Sequence, residues 1–255
     1  CDWADHNRGR DAQAQNRSGA SIGAAVSVMM YLGGKSRLAK RIAPILSVMR
    51  DERVYVEPFI GGANMFVAMP GPKIGNDINP YLIALLRAVR DGWIPPDSVS
   101  EDEYARVRRD TSDPALHGFV GFGCSFGAKW WGGYARSGTY NYAAVTRRTL
   151  IAQRPSLIGS RLECCDYAEL ELPDEALIYC DPPYRGMTQY RDAFDSDRFW
   201  AVARRWAQGG HVVVVSEYSA PEDVRELASW EVGSSVSLNK NVPRRTERLF
   251  LVPAK

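Results

Sequence analysis

Histidine is scarce in this chain, at three residues, His6, His117 and His211. The five cysteines, an odd number, stand at positions 1, 124, 164, 165 and 180, and none forms a C-x-x-C pair. No spacing of these residue types suits zinc, and no framework of an oxidised extracellular domain is present. Cys164, Cys165 and Cys180 read instead as small buried hydrophobes. Long apolar runs are missing too. None approaches the ~20 residues needed to span a bilayer, and the N-terminal residues carry no signal-peptide pattern. Net charge is close to zero, with 32 Lys and Arg against 30 Asp and Glu, so the whole-chain average neither demands nor excludes nucleic acid. The G-x-G-x-x-G fingerprint of dinucleotide enzymes is absent. These absences leave a soluble protein of a reducing compartment. Its 255 residues give room for one large α/β domain with a smaller insertion.

What is present is a series of apolar runs ending in chemically capable residues. The most informative is Ile178-Tyr179-Cys180-Asp181-Pro182-Pro183-Tyr184. A buried strand must stop at Asp181, because two prolines lack the N–H a central ladder needs. It then offers a carboxylate, a carbonyl and the Tyr184 ring at its C-terminal edge, where open α/β sheets place ligands. On its own the stretch equally suits a rigid turn with Tyr184 as cover.

Taken in order, residues 1–24 are a polar, loosely patterned N-terminal extension. Tyr31-Leu32-Gly33-Gly34-Lys35 follows, then a helix through Leu38, Ile42, Ile45 and Leu46. Lys35 after two glycines can grip an anion or be solvated. Val54 to Phe59 reads as a strand, and the glycine turn Ile60-Gly61-Gly62-Ala63-Asn64 is expected to open a helix. A second strand ends at Asp77, with a helix through Leu82, Leu85, Leu86 and Val89 behind it. Asp77 can serve a ribose diol or cap a turn, and spacing alone does not choose.

From Trp93 the texture changes, with a boundary at Pro95-Pro96. A charged helix over 101–110 leads into 118–138, too glycine-rich for a good helix and too aromatic for a linker. It suits a compact subdomain that also offers Lys129, Trp131, Tyr134 and Arg136 to phosphates and bases. Thr146 to Ala152 is expected to be helical, and Ser160 to Cys165 is another strand, closing on Asp166-Tyr167. After Asp181 comes a polar loop containing Tyr190, then a helix over 197–208 with Phe199, Trp200, Val202, Ala203 and Trp206 on its apolar face. His211 to Ser216 is the strongest strand signal, and Pro221 is expected to start a short helix through Leu227. Strands over 230–238 and 247–252 flank a basic turn with Lys240, Arg244 and Arg245. This alternation indicates a mostly parallel sheet with an antiparallel hairpin at one edge.

The motifs Tyr31-Leu32-Gly33-Gly34-Lys35, Glu57-Pro58-Phe59-Ile60-Gly61-Gly62-Ala63-Asn64-Met65-Phe66, Asn76-Asp77-Ile78-Asn79 and Asp181-Pro182-Pro183-Tyr184, in this order, resemble those of the Dam-like (D12 class) DNA adenine-N6 methyltransferases. The resemblance covers most of residues 30–255. It implies a Rossmann-like S-adenosylmethionine-dependent methyltransferase fold, seven-stranded and mostly parallel, with the seventh strand antiparallel between the fifth and sixth. A small, mainly helical target-recognition insertion over 95–150 would divide a core of 25–94 and 151–255.

The resemblance also implies roles. Lys35 would hold the methionine carboxylate, with Tyr31 and Gly34 beside it. Pro58, Phe59, Gly61 and Asn64 would shape the cofactor pocket, Asp77 would receive the ribose hydroxyls, and Asp166 with Tyr167 would meet the cofactor adenine. Asp181, also in reach of the cofactor, would act on the target amine with the Pro182 carbonyl, while Tyr184 stacks on the base. Lys129, Trp131, Tyr134, Arg136, Tyr190, Lys240 and Arg244 would contact DNA. The family turn is often Gly, any residue, Gly, whereas this chain has Gly61-Gly62-Ala63. Double-stranded DNA is the implied partner of a monomer, or of a dimer on DNA, in the cytoplasm of a bacterial or phage-infected cell. Neither metal nor membrane is called for. A cytosine-N4 enzyme would more often carry Ser in place of Asp181. A silent nucleic-acid-binding relative would not need Lys35, Asp77, Asp181 and Tyr184 together, and a nicotinamide enzyme lacks its glycine fingerprint.

Overall fold

A computed structural model describes residues 36–136, 138, 140–183, 194–232 and 245–254. The apolar runs form the strands β1 (Val54–Glu57), β2 (Lys73–Asn76), β3 (Arg161–Glu163), β4 (Ala176–Cys180), β5 (Val212–Glu217), β6 (Arg225–Val232) and β7 (Arg245–Val252). They make one sheet in the order β3-β2-β1-β4-β5-β7-β6. β1 to β5 pair in parallel, whereas β7 is antiparallel to both β5 and β6. The expected seventh strand, antiparallel between the fifth and sixth, is therefore present.

Strand alternation divides the side chains into two cores. Tyr55, Leu177, Tyr179, Val214 and Leu249 face the helices α1 (Ser36–Arg50), α2 (Pro80–Arg90), α3 (Glu101–Arg109), α4 (Pro114–Gly123) and α5 (Tyr142–Leu157). Val56, Ile178, Cys180, Val213 and Val215 face α6 (Ser196–Gln208), which buries Phe199, Trp200, Val202, Ala203 and Trp206 as expected. Parallel strands covered on both faces must be apolar throughout, which explains the unbroken burial of β4.

Cys164 and Cys165, expected to be buried, are exposed and half-buried while Cys180 is buried, and three expectations of local backbone structure fail, each for a physical reason. The glycine turn opens no α-helix. Gly61 and Ala63 take φ of 46° and 57°, outside the helical region, and only a 3-10 turn forms at Phe66–Ala68. Ala63 thus carries a side chain in the left-handed region that favours glycine. The stretch judged too glycine-rich for a helix instead contributes Gly118, Gly121 and Gly123 to α4. There the missing side chains let α4 approach its neighbours: a Cβ on Gly118 would lie 2.2 Å from the Tyr81 carbonyl oxygen of α2. Finally, Pro221 begins a turn closed by Val224 N–H donating to Pro221 O, and the expected helix through Leu227 is replaced by β6. A helix of about seven residues is marginal by itself, and β7 offers the same residues a full ladder.

Candidate active site

Four chain segments leave the C-terminal edge of the sheet close together: Pro58-Phe59 after β1, Asp77 after β2, Asp166 after β3 and Asp181-Pro182-Pro183 after β4. Strand order reverses between β1 and β4, so the connections on either side diverge and leave a crevice. Asp181 stands on one side of that point and the glycine turn on the other.

Asn76, which is 1% exposed, holds three of these segments together. Its Nδ2 donates to Pro58 O at 3.1 Å and to Cys165 O at 3.0 Å, and its Oδ1 accepts from Cys165 N–H at 3.1 Å. One buried amide thus sets the spacing of the β1, β2 and β3 ends. Asp77 does not cap α2; that role falls to Asn79, whose Oδ1 accepts from Tyr81 and Leu82 N–H. Asp77 instead accepts from Gly61 N–H through Oδ2 at 3.2 Å and from Asn79 N–H through Oδ1 at 3.0 Å. Burial outweighs these bonds and pushes its carboxyl up to about 6. Such a carboxylate gains from further donors, as a ribose diol would supply.

Two more acceptors, Asn64 Oδ1 in the glycine turn and Gln153 Oε1 on α5, are buried without a partner among the described residues. Gln153 of α5 donates through Nε2 to Gly62 O at 3.1 Å. Buried acceptors of this kind favour a ligand bearing N–H or O–H groups. The residues present therefore fit a polar, nucleoside-containing cofactor at this edge.

Beside Asn64 and Asp77 lies an apolar wall. Phe59 sits 5.1 Å from Tyr167 and 5.8 Å from Phe199, ring centre to ring centre. Asp166, next to Tyr167, forms a two-bond ion pair with Arg198 of α6. That guanidinium, ahead of other influences, holds the Asp166 carboxyl below the usual range.

Glu57, which has no role among the sequence expectations, is 3% exposed at the end of β1. Tyr55 Oη donates to its Oε1 at 2.5 Å. Burial, with a smaller push from the Asp181 charge, raises the Glu57 carboxyl to about 8. A readable signal existed: Glu57-Pro58 and Asp181-Pro182 are both acid-proline steps at the ends of apolar runs. Asn76 and Arg198 carried no comparable local signal.

A testable pH dependence follows from Glu57. Its folded-state pKa lies above the unfolded one, so the folded protein keeps a proton that the unfolded chain releases. This favours folding at low pH and is lost as pH rises from 4.5 towards about 8. Asp77 acts in the same sense up to about 6, whereas Lys73, pushed down to about 8 by burial, opposes it only above that value. Urea unfolding of the cofactor-free protein should therefore lose ~1.4 kcal/mol per pH unit around neutrality. Glu57→Gln should flatten that slope; equal slopes in both proteins would show that Glu57 is already ionised.

Three of the insertion residues expected to contact DNA are held by partners inside the insertion. Trp131 Nε1 donates to His117 Nε2 at 3.1 Å, Tyr134 Oη donates to Val99 O at 2.7 Å, and Arg136 is ion-paired with Glu101. Lys129 is exposed. Tyr31, Gly34, Lys35, Tyr184, Tyr190, Lys240 and Arg244 lie outside the described residues. Among the described residues, no group of three or more His, Cys, Asp or Glu is placed to hold a metal ion. No described helix is long and apolar enough to cross a membrane.

Strand order and the acids at the strand ends define a Rossmann-like S-adenosylmethionine-methyltransferase fold with helical insertions. Residues 31–112 match the family model of the D12 class N6 adenine-specific DNA methyltransferase. No curated protein matches the chain. Among solved structures, SMU.472, assigned as a methyltransferase and complexed with SAH, is similar at 12% identity and a TM-score of 0.36. The match covers 87% of this chain and 53% of that one, so the chain spans about half the length of that structure. A likeness this distant does not define the fold, which rests on the strand order.

Proposed function

We propose that the protein is a site-specific DNA methyltransferase that moves the methyl group of S-adenosylmethionine to the exocyclic N6 of a flipped adenine. The observation that carries this reading is the placement of Asp181-Pro182 across the β1/β4 crevice from Asp77 and the glycine turn, in a chain whose residues 31–112 match the D12 class.

Lys35, Asn64, Asp77, Asp166 and the Phe59–Tyr167 wall are the residues that would hold the cofactor. When bound, it supplies an electrophilic methyl group on a sulfonium. The adenine amine is a weak nucleophile because its lone pair is delocalised into the ring. Asp181 and the Pro182 carbonyl oxygen accept its two N–H bonds, favour a more tetrahedral nitrogen and stabilise the positive charge as it develops. Tyr184 takes the stacking role against the base. The nitrogen gives up its proton to solvent during or after transfer.

Duplex DNA is the proposed partner, since a target atom inside a base stack must be extruded first. The insertion over 95–150 is the proposed recognition element, with Lys129, Trp131, Tyr134 and Arg136 on it and Tyr190, Lys240 and Arg244 on loops elsewhere. Support comes from α5, which is tied to the glycine turn at Gln153. α5 runs from Tyr142 to Leu157, so about 16 Å of helix precedes Gln153. A support of that reach suits contact with a duplex.

Incubation with methyl-labelled S-adenosylmethionine and unmethylated DNA, followed by digestion to nucleosides, should place label on N6-methyladenine. Label on N4-methylcytosine, or on protein alone, would overturn the adenine reading.

A further inference from the structure

The ion pair between Asp166 and Arg198 joins residues 32 positions apart, one after β3 and one on α6. Its geometry uses up most of the carboxylate. Asp166 Oδ1 accepts from Arg198 Nη2 at 2.9 Å and from Ala168 N–H at 2.9 Å. Asp166 Oδ2 accepts from Arg198 Nη1 at 2.9 Å. An ionised carboxylate offers about four lone-pair sites and no donor. Among the described residues three are occupied, and one on Oδ2 is left.

The surroundings fit a purine. The Arg198 guanidinium lies over the Tyr167 ring, 5.1 Å from its centre, which keeps the fork in one plane as it grips Asp166. Tyr167 in turn packs against Phe59. Ile78, directly after Asp77, is 70% exposed at the end of the adjacent strand β2. Cys164 Sγ lies 3.9 Å from the Ile78 carbonyl oxygen, which brings the β3 end beside this uncovered apolar side chain. An apolar ring resting near Ile78 would have Asp77 on its ribose side and Asp166 as the acceptor at its edge.

We propose that Arg198 is a positioning residue: it fixes the Asp166 carboxylate with a single open acceptor site and so makes the cofactor pocket select a 6-amino over a 6-oxo purine. The inference rests on the reading of the protein as an S-adenosylmethionine-dependent enzyme. An adenine N6–H can donate to the open site on Oδ2. A 6-oxo purine presents an oxygen there instead and leaves two acceptors facing each other. Without Arg198 the carboxylate can rotate about χ2, accept a proton more readily and donate to that oxygen. Selectivity then falls. A simple surface ion pair would behave otherwise, since its loss changes little.

The test is calorimetric binding of S-adenosylhomocysteine and S-inosylhomocysteine to wild type, Arg198→Met and Arg198→Lys. Wild type should prefer the adenosyl compound by about 100-fold or more, as a site built around one hydrogen bond rejects an analogue that lacks it. Arg198→Met should cut that ratio about tenfold, and Arg198→Lys, which restores charge without the fork, should recover part of it. Unchanged ratios in both variants would overturn the proposal, and with two variants a folding defect in one leaves the other to decide. If wild type binds neither compound, the S-adenosylmethionine reading itself falls, and this inference falls with it.

Discussion

Asp181→Ala should abolish methyl transfer, by roughly a thousandfold or more, while leaving S-adenosylhomocysteine affinity within about threefold of wild type. The split follows from where Asp181 sits. β4 is buried along its whole length, so its place in the sheet is set by apolar packing. Pro182 and Pro183 fix the exit path whatever precedes them. What the substitution removes is an acceptor aimed at a charge that exists only in the transition state, and such losses appear in kcat rather than in ground-state binding. Asp181→Asn keeps an acceptor oxygen without the charge and should fall between the two. Parallel kinetics and calorimetry would check both. Loss of cofactor binding in a folded Asp181→Ala protein would mean that the residue serves the cofactor instead. A second readout is available, because the Asp181 charge contributes to the raised pKa of Glu57. In Asp181→Ala the Glu57-dependent part of the stability profile should move to lower pH.

Gly118→Ala is expected to be the most damaging single methyl addition to the insertion. The new Cβ would stand 2.2 Å from the Tyr81 carbonyl oxygen, 2.9 Å from its carbon and 3.2 Å from Leu85 Cβ. The nearest obstacle is backbone in the first turn of α2, so no rotamer change relieves it. α4 must move off α2, at a cost of about 3 kcal/mol and a fall in Tm of about 6–12 °C. Gly138→Ala is the control, since a Cβ there meets nothing within 4 Å. Thermal unfolding of the two variants beside wild type gives the comparison. Equal Tm values would show that α2 and α4 separate freely, and the shared core containing Leu82, Leu85, Phe119 and Val120 would then need revision.

The contrast between these residues also explains which elements are legible in the sequence. β4 and β5 were legible because parallel strands buried on both faces must be apolar throughout, and α6 because a single buried face imposes helical spacing. The acids at strand ends stood out because each interrupts such a run. α4 is not legible because its glycines are set by neighbours elsewhere in the fold, Tyr81 for Gly118, Trp130 for Gly121 and Thr146 for Gly123, and helix propensity knows nothing of those contacts. The Pro221 segment was misread for the complementary reason: its local preference is helical, but its hydrogen bonds are supplied by β7. Within the site, Asp77 and Asp166 belong to readable motifs. Asn76 and Arg198, which set the spacing and orientation of those acids, act across 89 and 32 positions respectively. Residues that bind announce themselves by type and place, whereas residues that aim them are defined only by the assembled fold.

The position of β7 bears on how this sheet can be assembled during synthesis. β6 is made before β7, yet it touches β5 only through β7, which pairs with β5 over Val213–Glu217 and with β6 over Arg225–Val232. A nascent chain that has emerged only as far as β6 therefore leaves the β7-facing sides of β5 and β6 without their native partner. The last strand must slot between two already made, a long-range pairing of the slow kind. The charges of Arg225, Glu226 and Glu231 on the waiting strand discourage it from recruiting a neighbouring chain in the interval.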